Sequence, residues 1–340
     1  MRLLIYEWIT GGGLVGSEGA LPESLLREGL AMVQAVTADA AGVEAIRHRS
    51  LLRDLRLPHL ATAGAEIFEV ASRSEHDVAL YELATQADSV LVIAPETDGV
   101  LLQTVQRLEA FGANLVSPGS AFIAIAGDKE LTANALTAAG VPTPQALRIE
   151  PDTALPEAFT YPAVIKPLDG AGSQDTHVVA HAYDRPPAYA WPRRLERYVP
   201  GVAASVAVIG VAGSDAIALP PCRQRLSVDG KLSYLGGSTP LAGGLAERAT
   251  ALALRAIAAL PPLVGWAGVD LVLGDDPDGS LDVVIEVNPR LTTSYVGLRR
   301  VVRGGLVAAM IAAARGERPR LEIDPRPLAF DSDGAVYWES

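Results

Sequence analysis

Val284-Ile285-Glu286-Val287-Asn288-Pro289-Arg290 sets two oxygen-bearing side chains, two residues apart, at the end of an otherwise aliphatic run. Residues 283 to 287 are β-branched apart from Glu286, so they read as a buried strand. Period-two geometry then turns Glu286 and Asn288 to one face. Gly268-Val269-Asp270 comes before them, in a second apolar run that continues to Leu273. The turn-rich Gly274-Asp275-Asp276-Pro277-Asp278-Gly279 connection folds the two runs into a hairpin and brings Asp270 to the same pair. Oxygen ligands without histidine or cysteine suit a hard cation, Mg2+ or Mn2+, of the kind that works with substrate phosphates. Local capping and ion pairing by these residues is the competing expectation.

Composition narrows the class. The 340 residues give two or three domains and ample chain for a large core. A net charge of −12, with 28 basic and 40 acidic residues and no basic block, argues against nucleic acid or an anionic membrane as partner. Cys222 is the single cysteine, set among apolar neighbours, and an inert buried thiol is expected. The amino terminus lacks a charged region followed by a long apolar run, and the most apolar helix, near Gly305 to Ala314, is too short for a span. A cytoplasmic protein is expected.

Along the chain, Leu3 to Tyr6 reads as a strand, followed by Thr10-Gly11-Gly12-Gly13 and a helix that Pro22 can open. Residues 11 to 16 match GxGxxG formally. A dinucleotide fingerprint needs the helix to start within the glycines, and here Gly16 to Leu21 intervene. Apolar runs at Val43 to Ile46, Ile67 to Ala71 and Ser89 to Ile93 alternate with helical patterns at Glu75 to Ala87 and Gly99 to Phe111. That alternation is the mark of an α/β domain on a parallel sheet. Glu96 and Asp98 follow the strand ending at Ile93, at the carboxyl edge where open α/β sheets bind ligands, so they are substrate-site candidates. Ser117-Pro118-Gly119 breaks the pattern. Helices at Ala121 to Ala126 and Lys129 to Ala139 follow, and then α+β structure: strands at Ala163 to Lys166, His177 to Ala180, Arg194 to Tyr198 and several from Ala203 to Leu235, with a helix at about Ala246 to Leu260.

Lys166 ends a strand and precedes Pro167-Leu168-Asp169-Gly170-Ala171-Gly172-Ser173. A cation beside a glycine-rich loop can hold a polyphosphate, the lysine as a point charge and Gly170, Gly172 and Ser173 through backbone N–H groups. It is not a Walker A loop, where the lysine follows the glycines and a helix follows the lysine. Lys129 stands at a helix start, where the dipole prefers an anion, so capping does not explain it. Glu196 and Val199 flank a proline-glycine hinge that can offer a carboxylate and backbone groups to an adenine edge. A surface glutamate before a linker is the alternative.

In order and spacing, Lys129, Lys166 with its glycine loop, Glu196 with Val199, Asp270, Glu286 and Asn288 resemble the ATP-grasp superfamily over about residues 118 to 315. The resemblance implies an ATP-grasp fold with a pre-ATP-grasp domain over 1–117, a central subdomain with a glycine-rich lid over 118–198, and a carboxyl-terminal subdomain with the metal site over 199–340. Tyr6 to Gly13, Pro95 to Asp98, Tyr234-Leu235-Gly236-Gly237 and Asn288 to Tyr295 together resemble the tyramine-glutamate ligases of methanofuran-type cofactor synthesis. This implies an ATP-dependent ligase joining glutamate to an aromatic amine through an acyl phosphate. Arg290 and Lys166 would be catalytic, Arg290 on the substrate carboxylate or acyl phosphate, with Gly236 and Gly237 N–H groups assisting. Thr10 to Gly13, Glu96 and Asp98 would serve the substrates. The D-alanine-D-alanine ligases are similar around the hairpin, but Gly268 stands where they carry an arginine and Ala203 where they place a ribose-binding carboxylate, with Ser205 a weak substitute. Another amino-acid or amine pair, a non-catalytic nucleotide-binding module, and the oligomeric state, a homodimer included, stay open.

Overall fold

The structure is a computed structural model that describes residues 1–170, 172 and 174–338. Its first part alternates strand and helix: β1 (Arg2–Glu7), α1 (Glu23–Ala41), β2 (His48–Asp54), β3 (Glu66–Val70), α2 (Arg73–Gln86), β4 (Ser89–Ile93) and α3 (Val100–Ala110). The four strands pair in parallel in the order β3-β2-β1-β4. β1, inside the sheet, and β4, at its end, are aliphatic and buried almost throughout, as a sheet covered on both faces requires.

The strand expected at Val43 to Ile46 lies later. Val43 and Ile46 form successive turns, Val43 N–H donating to Ala40 O and Ile46 N–H to Val43 O, and Ile46 plugs the core from that connection. The strand itself begins at His48, opposite Arg2, and reads His-Arg-Ser-Leu-Leu-Arg-Asp. Leu51 and Leu52 alone supply its apolar character, too little for a periodicity signal. Pro22 stands just outside α1, its carbonyl accepting from Leu26 N–H.

Two short helices follow, α4 (Ser120–Ala126) and α5 (Lys129–Ala138), the second capped by the Asp128 carboxylate on the N–H groups of Glu130 and Leu131. Strands β5 (Ala146–Ile149), β6 (Ala163–Pro167), β7 (His177–Val179) and β8 (Arg193–Arg197) make an antiparallel sheet in the order β5-β8-β6-β7. An eight-stranded antiparallel sheet then contains β9 (Val202–Gly210), β10 (Ile217–Ala218), β11 (Cys222–Leu226), β12 (Tyr234–Thr239), β13 (Gly265–Leu273) and β14 (Val283–Asn288). Strands Leu328–Asp331 and Val336–Trp338, unannounced by any pattern, close its far edge. Helices α6 (Gly243–Ala258), α7 (Tyr295–Val301) and α8 (Leu306–Ala314) cover it.

One core joins the first part to the last. Leu3, Ile5 and the α1 residues Met32, Val33 and Val36 share a buried cluster with Trp266, Tyr295, Leu298, Leu306 and Met310. Asp39 of α1 fixes this docking by accepting from the Tyr295 hydroxyl at 2.5 Å and the Val307 N–H at 2.9 Å. Glu28 lies about three helical turns earlier on the same helix, so it shares a face with Asp39 and is carried to the site by that anchor. Cys222 is fully buried and its thiol is pushed up to about 12 by that burial, as an inert thiol should be. Among the described residues no helix is long and apolar enough to cross a membrane.

Candidate functional site

The β13–β14 hairpin forms as the alternation requires, with Asp270 opposite Glu286 and Gly268 opposite Asn288. Asn288 Nδ2 donates to Asp270 Oδ2 at 3.0 Å, and from β11 Gln224 Nε2 donates to Asp270 Oδ1 at 2.9 Å. Lys129, at the start of α5, sets its Nζ 3.4 Å from Glu286 Oε2 and donates to Gly170 O at 3.2 Å. Its own N–H is taken by Leu168 O, so one residue ties the β13–β14 hairpin to the glycine loop.

The two carboxylates part company electrostatically. Burial and the neighbouring Glu286 push Asp270 well above the usual carboxylate range. Burial also works against the charge on Glu286, but Lys129, Lys166 and Arg290 together outweigh it and hold that carboxyl below its ordinary value. Asp270 is thus a buried acid short of positive charge. A divalent cation relieves that deficit, and the oxygen-only donors Asp270, Glu286 and Asn288 suit Mg2+, so the residues present fit the metal. No cluster of three or more histidine, cysteine, aspartate or glutamate side chains competes for it among the described residues.

These groups line a cleft of about 230 Å³ between the two antiparallel sheets, with Lys129, Lys166, Gly170, Gly172, Glu196, Val199, Asp270, Glu286, Asn288 and Arg290 all on its wall. Gly170 and Gly172 have φ of +102° and +68°, values at which a side chain would strain the loop. Ser173 lies outside the described residues. Glu196 does not offer a free carboxylate to the hinge: Oε2 is 2.7 Å from Lys166 Nζ and Oε1 accepts from Arg194 Nε at 2.5 Å. Ala203 and Ser205 also line the cleft, Ser205 pairing with Asp270 in the β9–β13 register.

Arg290 is buried and committed. Its Nε donates to Glu96 Oε2 at 3.0 Å, and Nη1 donates to Leu291 O. Burial opposes its charge, but Glu96, Glu28 and Glu286 more than compensate and raise its pKa. Glu96 therefore reaches the site through Arg290 and is absent from the cleft wall itself. Asp98 is exposed, with φ of +54°, and its N–H donates to Asp169 Oδ2 at 2.9 Å, joining the Pro95–Asp98 segment to the base of the glycine loop.

Two groups of expected substrate residues lie elsewhere. Gly11 has no room for a side chain beside Glu7 O and the Tyr6 ring, and Gly13 none beside the Trp8 ring, while Thr10 donates its N–H to Glu7 Oε2. These residues shape a packed turn off the cleft wall. Gly236 and Gly237 lie inside the large sheet, between β11 and the Leu328–Asp331 strand, so the ladder takes up their backbone groups. Their smallness answers to close carbonyls of Phe330 and Arg223.

Glu28 and Gln224 line the cleft without a sequence signal having singled them out, and Thr293, also on its wall, entered only as part of the Asn288 to Tyr295 stretch. Gln224 was detectable only through the β11–β9–β13 order. Glu28 and Thr293, joined by a hydrogen bond of 3.0 Å, are separated by most of the chain.

Residues 126–294 match the ATP-grasp domain family, and residues 48–123 match the pre ATP-grasp 3 domain. Two curated relatives are similar over nearly the whole chain. The tyramine–L-glutamate ligase of Methanocaldococcus fervens is 24% identical over 97% of this chain and 99% of its own. The enzyme of the same name from Methanocaldococcus jannaschii is 23% identical over 97% of this chain and 94% of its own. Among solved structures, a protein assigned to the ATP-grasp superfamily from Archaeoglobus fulgidus superposes with a TM-score of 0.71 at 21% identity, covering 97% of this chain and 91% of that one. The carboxyaminoimidazole ribonucleotide synthase of Aspergillus clavatus, complexed with ATP, gives 0.69 at 16% identity over 96% and 80%.

Proposed function

The chain belongs to the ATP-grasp superfamily, a pre-ATP-grasp domain leading into the ATP-grasp domain, and on that premise we propose that this carboxylate-amine ligase joins glutamate to tyramine or a tyrosine-like amine, a step suited to methanofuran-type cofactor synthesis. What supports the substrate pair is the likeness to two tyramine–L-glutamate ligases along nearly the full chain. The observation that carries the chemistry is the convergence of Lys129, Lys166, Asp270, and Glu286 with Arg290 on one cleft from four separate segments.

The reaction balances as follows. A substrate carboxylate oxygen attacks the γ-phosphorus of ATP, the bond to the β–γ bridging oxygen breaks, and ADP leaves. The amine then attacks the acyl carbon, phosphate departs with the carboxylate oxygen, and the amine loses a proton. Magnesium, when held by Asp270, Glu286 and Asn288, supplies charge neutralisation for the phosphoryl oxygens. Lys129 and Lys166 contribute fixed positive charge along the same wall, and each already has a carboxylate, Glu286 or Glu196, that keeps its ammonium aimed. Arg290, held by Glu96, presents its remaining N–H groups to the substrate carboxylate and the acyl phosphate. Gly170, held by Lys129, and Asp169, held by the Asp98 N–H, anchor the glycine-rich segment at the cleft wall, where its role is to keep water from an acyl phosphate that hydrolysis would waste.

The test is ADP release from ATP with glutamate and tyramine supplied separately and together, followed by product mass. Amide and ADP in equal amounts, only with both substrates present, is the expected result. ADP formation with a different amino acid or amine would move the substrate assignment, and tight ATP binding without any turnover would favour a nucleotide-binding module.

A further inference from the structure

The corner of the cleft around Arg290 holds more carboxylates than its cation can satisfy. Glu7 is accounted for locally, accepting from the N–H groups of Ile9 at 3.2 Å and Thr10 at 2.7 Å. Glu96 gives Oε2 to Arg290, while its Oε1 is buried with no hydrogen-bond partner among the described residues. Glu28 gives Oε2 to the Thr293 hydroxyl, and among the described residues its Oε1 accepts nothing. Unlike the other two, Glu28 lies on the cleft wall. Gly172 stands close beside it, since a side-chain carbon added there would lie 3.4 Å from Oε1.

A half-buried carboxylate with one oxygen unmet, beside Gly172 and a buried guanidinium, is costly unless something cationic arrives. Burial raises the pKa of Glu28, with Arg290 and Thr293 opposing, which is the same deficit seen from the proton's side. Arg290 and Glu28 thus present neighbouring positive and negative groups to the cleft. An amino acid carries the complementary pair, a carboxylate and an ammonium on one small frame. A carboxylic acid without the amino group would satisfy Arg290 and leave Glu28 unmet.

We propose that Glu28, oriented by Thr293, receives the ammonium group of the amino-acid substrate and so makes the enzyme select amino acids over the corresponding deaminated carboxylic acids. The assignment rests on the ligase function proposed above but not on glutamate in particular. Thr293 is a positioning residue in this arrangement, and Glu28 the specificity determinant.

The experiment compares kcat/KM for an amino acid with that for its deaminated analogue, glutamate against glutarate in the first instance, in the parent and in Glu28→Gln, Glu28→Asp and Thr293→Val. The parent should prefer the amino acid. Glu28→Gln should lower that preference by about 10- to 100-fold, the range of a lost charge-assisted hydrogen bond, through the amino acid's KM and with the ATP constant unmoved. Glu28→Asp should fall between, and Thr293→Val should shift the preference in the same direction by less than about tenfold. If glutamate is inert, the pair is replaced by whichever amino acid supports ADP release and its deaminated form, which separates failure of the substrate assignment from failure of this one. A parent that does not distinguish the two acids, or a folded Glu28→Gln that keeps the full preference, would overturn the proposal.

Discussion

The two ends of the cleft are built on opposite terms. At the metal and phosphate end, Glu286 meets Lys129 and Glu196 meets Lys166 and Arg194, and the one carboxylate left wanting, Asp270, sits where a divalent cation fits. At the other end, among the described residues, Arg290 faces both Glu96 and Glu28, and acid oxygens are left over. The first end is arranged to hold an anion through cations already in place. The second is arranged to take a ligand that brings its own positive charge. Mutations at the two ends should therefore separate phosphoryl transfer from amino-acid recognition.

The largest effect is expected at the metal end. Glu286→Gln keeps size and one oxygen but removes the charge that Lys129 answers to and that would hold a metal. Turnover should fall on the order of 1,000-fold while ATP still binds, read by single-turnover phosphate formation against a binding isotherm. Lys166→Ala comes next. It should raise the ATP constant by about 10- to 100-fold, and Lys166→Arg should recover only part, because a planar fork does not replace a point charge set between Glu196 and the cleft. If Lys166→Ala disturbed the amino-acid constant and left ATP untouched, the assignment of the two ends would be reversed.

At the amino-acid end, Glu96→Gln tests whether Arg290 depends on its partner. A buried guanidinium deprived of its carboxylate should cost about 3 kcal/mol of stability, seen as a lower denaturation midpoint, and should raise the amino-acid constant more than the ATP constant. The smallest effect concerns pH. The folded-state pKa of Asp270 is raised from 3.8 to about 7, so the folded form keeps its proton longer than the unfolded chain. Stability in chelator should therefore fall as pH climbs from the ordinary carboxylate range toward neutrality, and the loss should be complete above that window. Asp270→Asn should flatten this slope, and magnesium should restore to the parent part of what ionisation costs. Thermal melts from pH 5 to pH 8, with and without the metal, check the sign.

The difference between the ends also decides what the sequence could disclose. Asp270, Glu286 and Asn288 share one hairpin, and strand alternation alone turns them to a common face. Lys166 and its glycines are contiguous. Local geometry therefore made most of the metal and phosphate end legible. The amino-acid end is assembled by contacts between distant residues, Glu96 with Arg290 and Glu28 with Thr293, the second created only when α1 docks on α7 and α8 through Asp39. Nothing in the neighbourhood of Glu28 marks it apart from any other helical glutamate. The glycines of residues 11–13 and 236–237 looked like ligand loops for a related reason. A close backbone approach demands glycine whether the neighbour is a substrate or, as here, the chain's own carbonyls and rings. In the fold, the α/β alternation was readable wherever strands were aliphatic. It was misplaced at β2, whose seven residues carry two leucines amid charge, and silent for the strands after residue 327.

The most direct measurement follows the oxygen. Glutamate, or the amino acid that supports turnover, is labelled with oxygen-18 in its carboxylates and allowed to react with ATP and the amine, and the released phosphate is weighed. Attack of the carboxylate on the γ-phosphorus followed by amine displacement predicts one labelled oxygen in each phosphate, equal in amount to the amide, and no such phosphate from Glu286→Gln. Phosphate without the label, formed at the same rate whether or not the amine is present, would contradict the acyl-phosphate route and the site on which it is built.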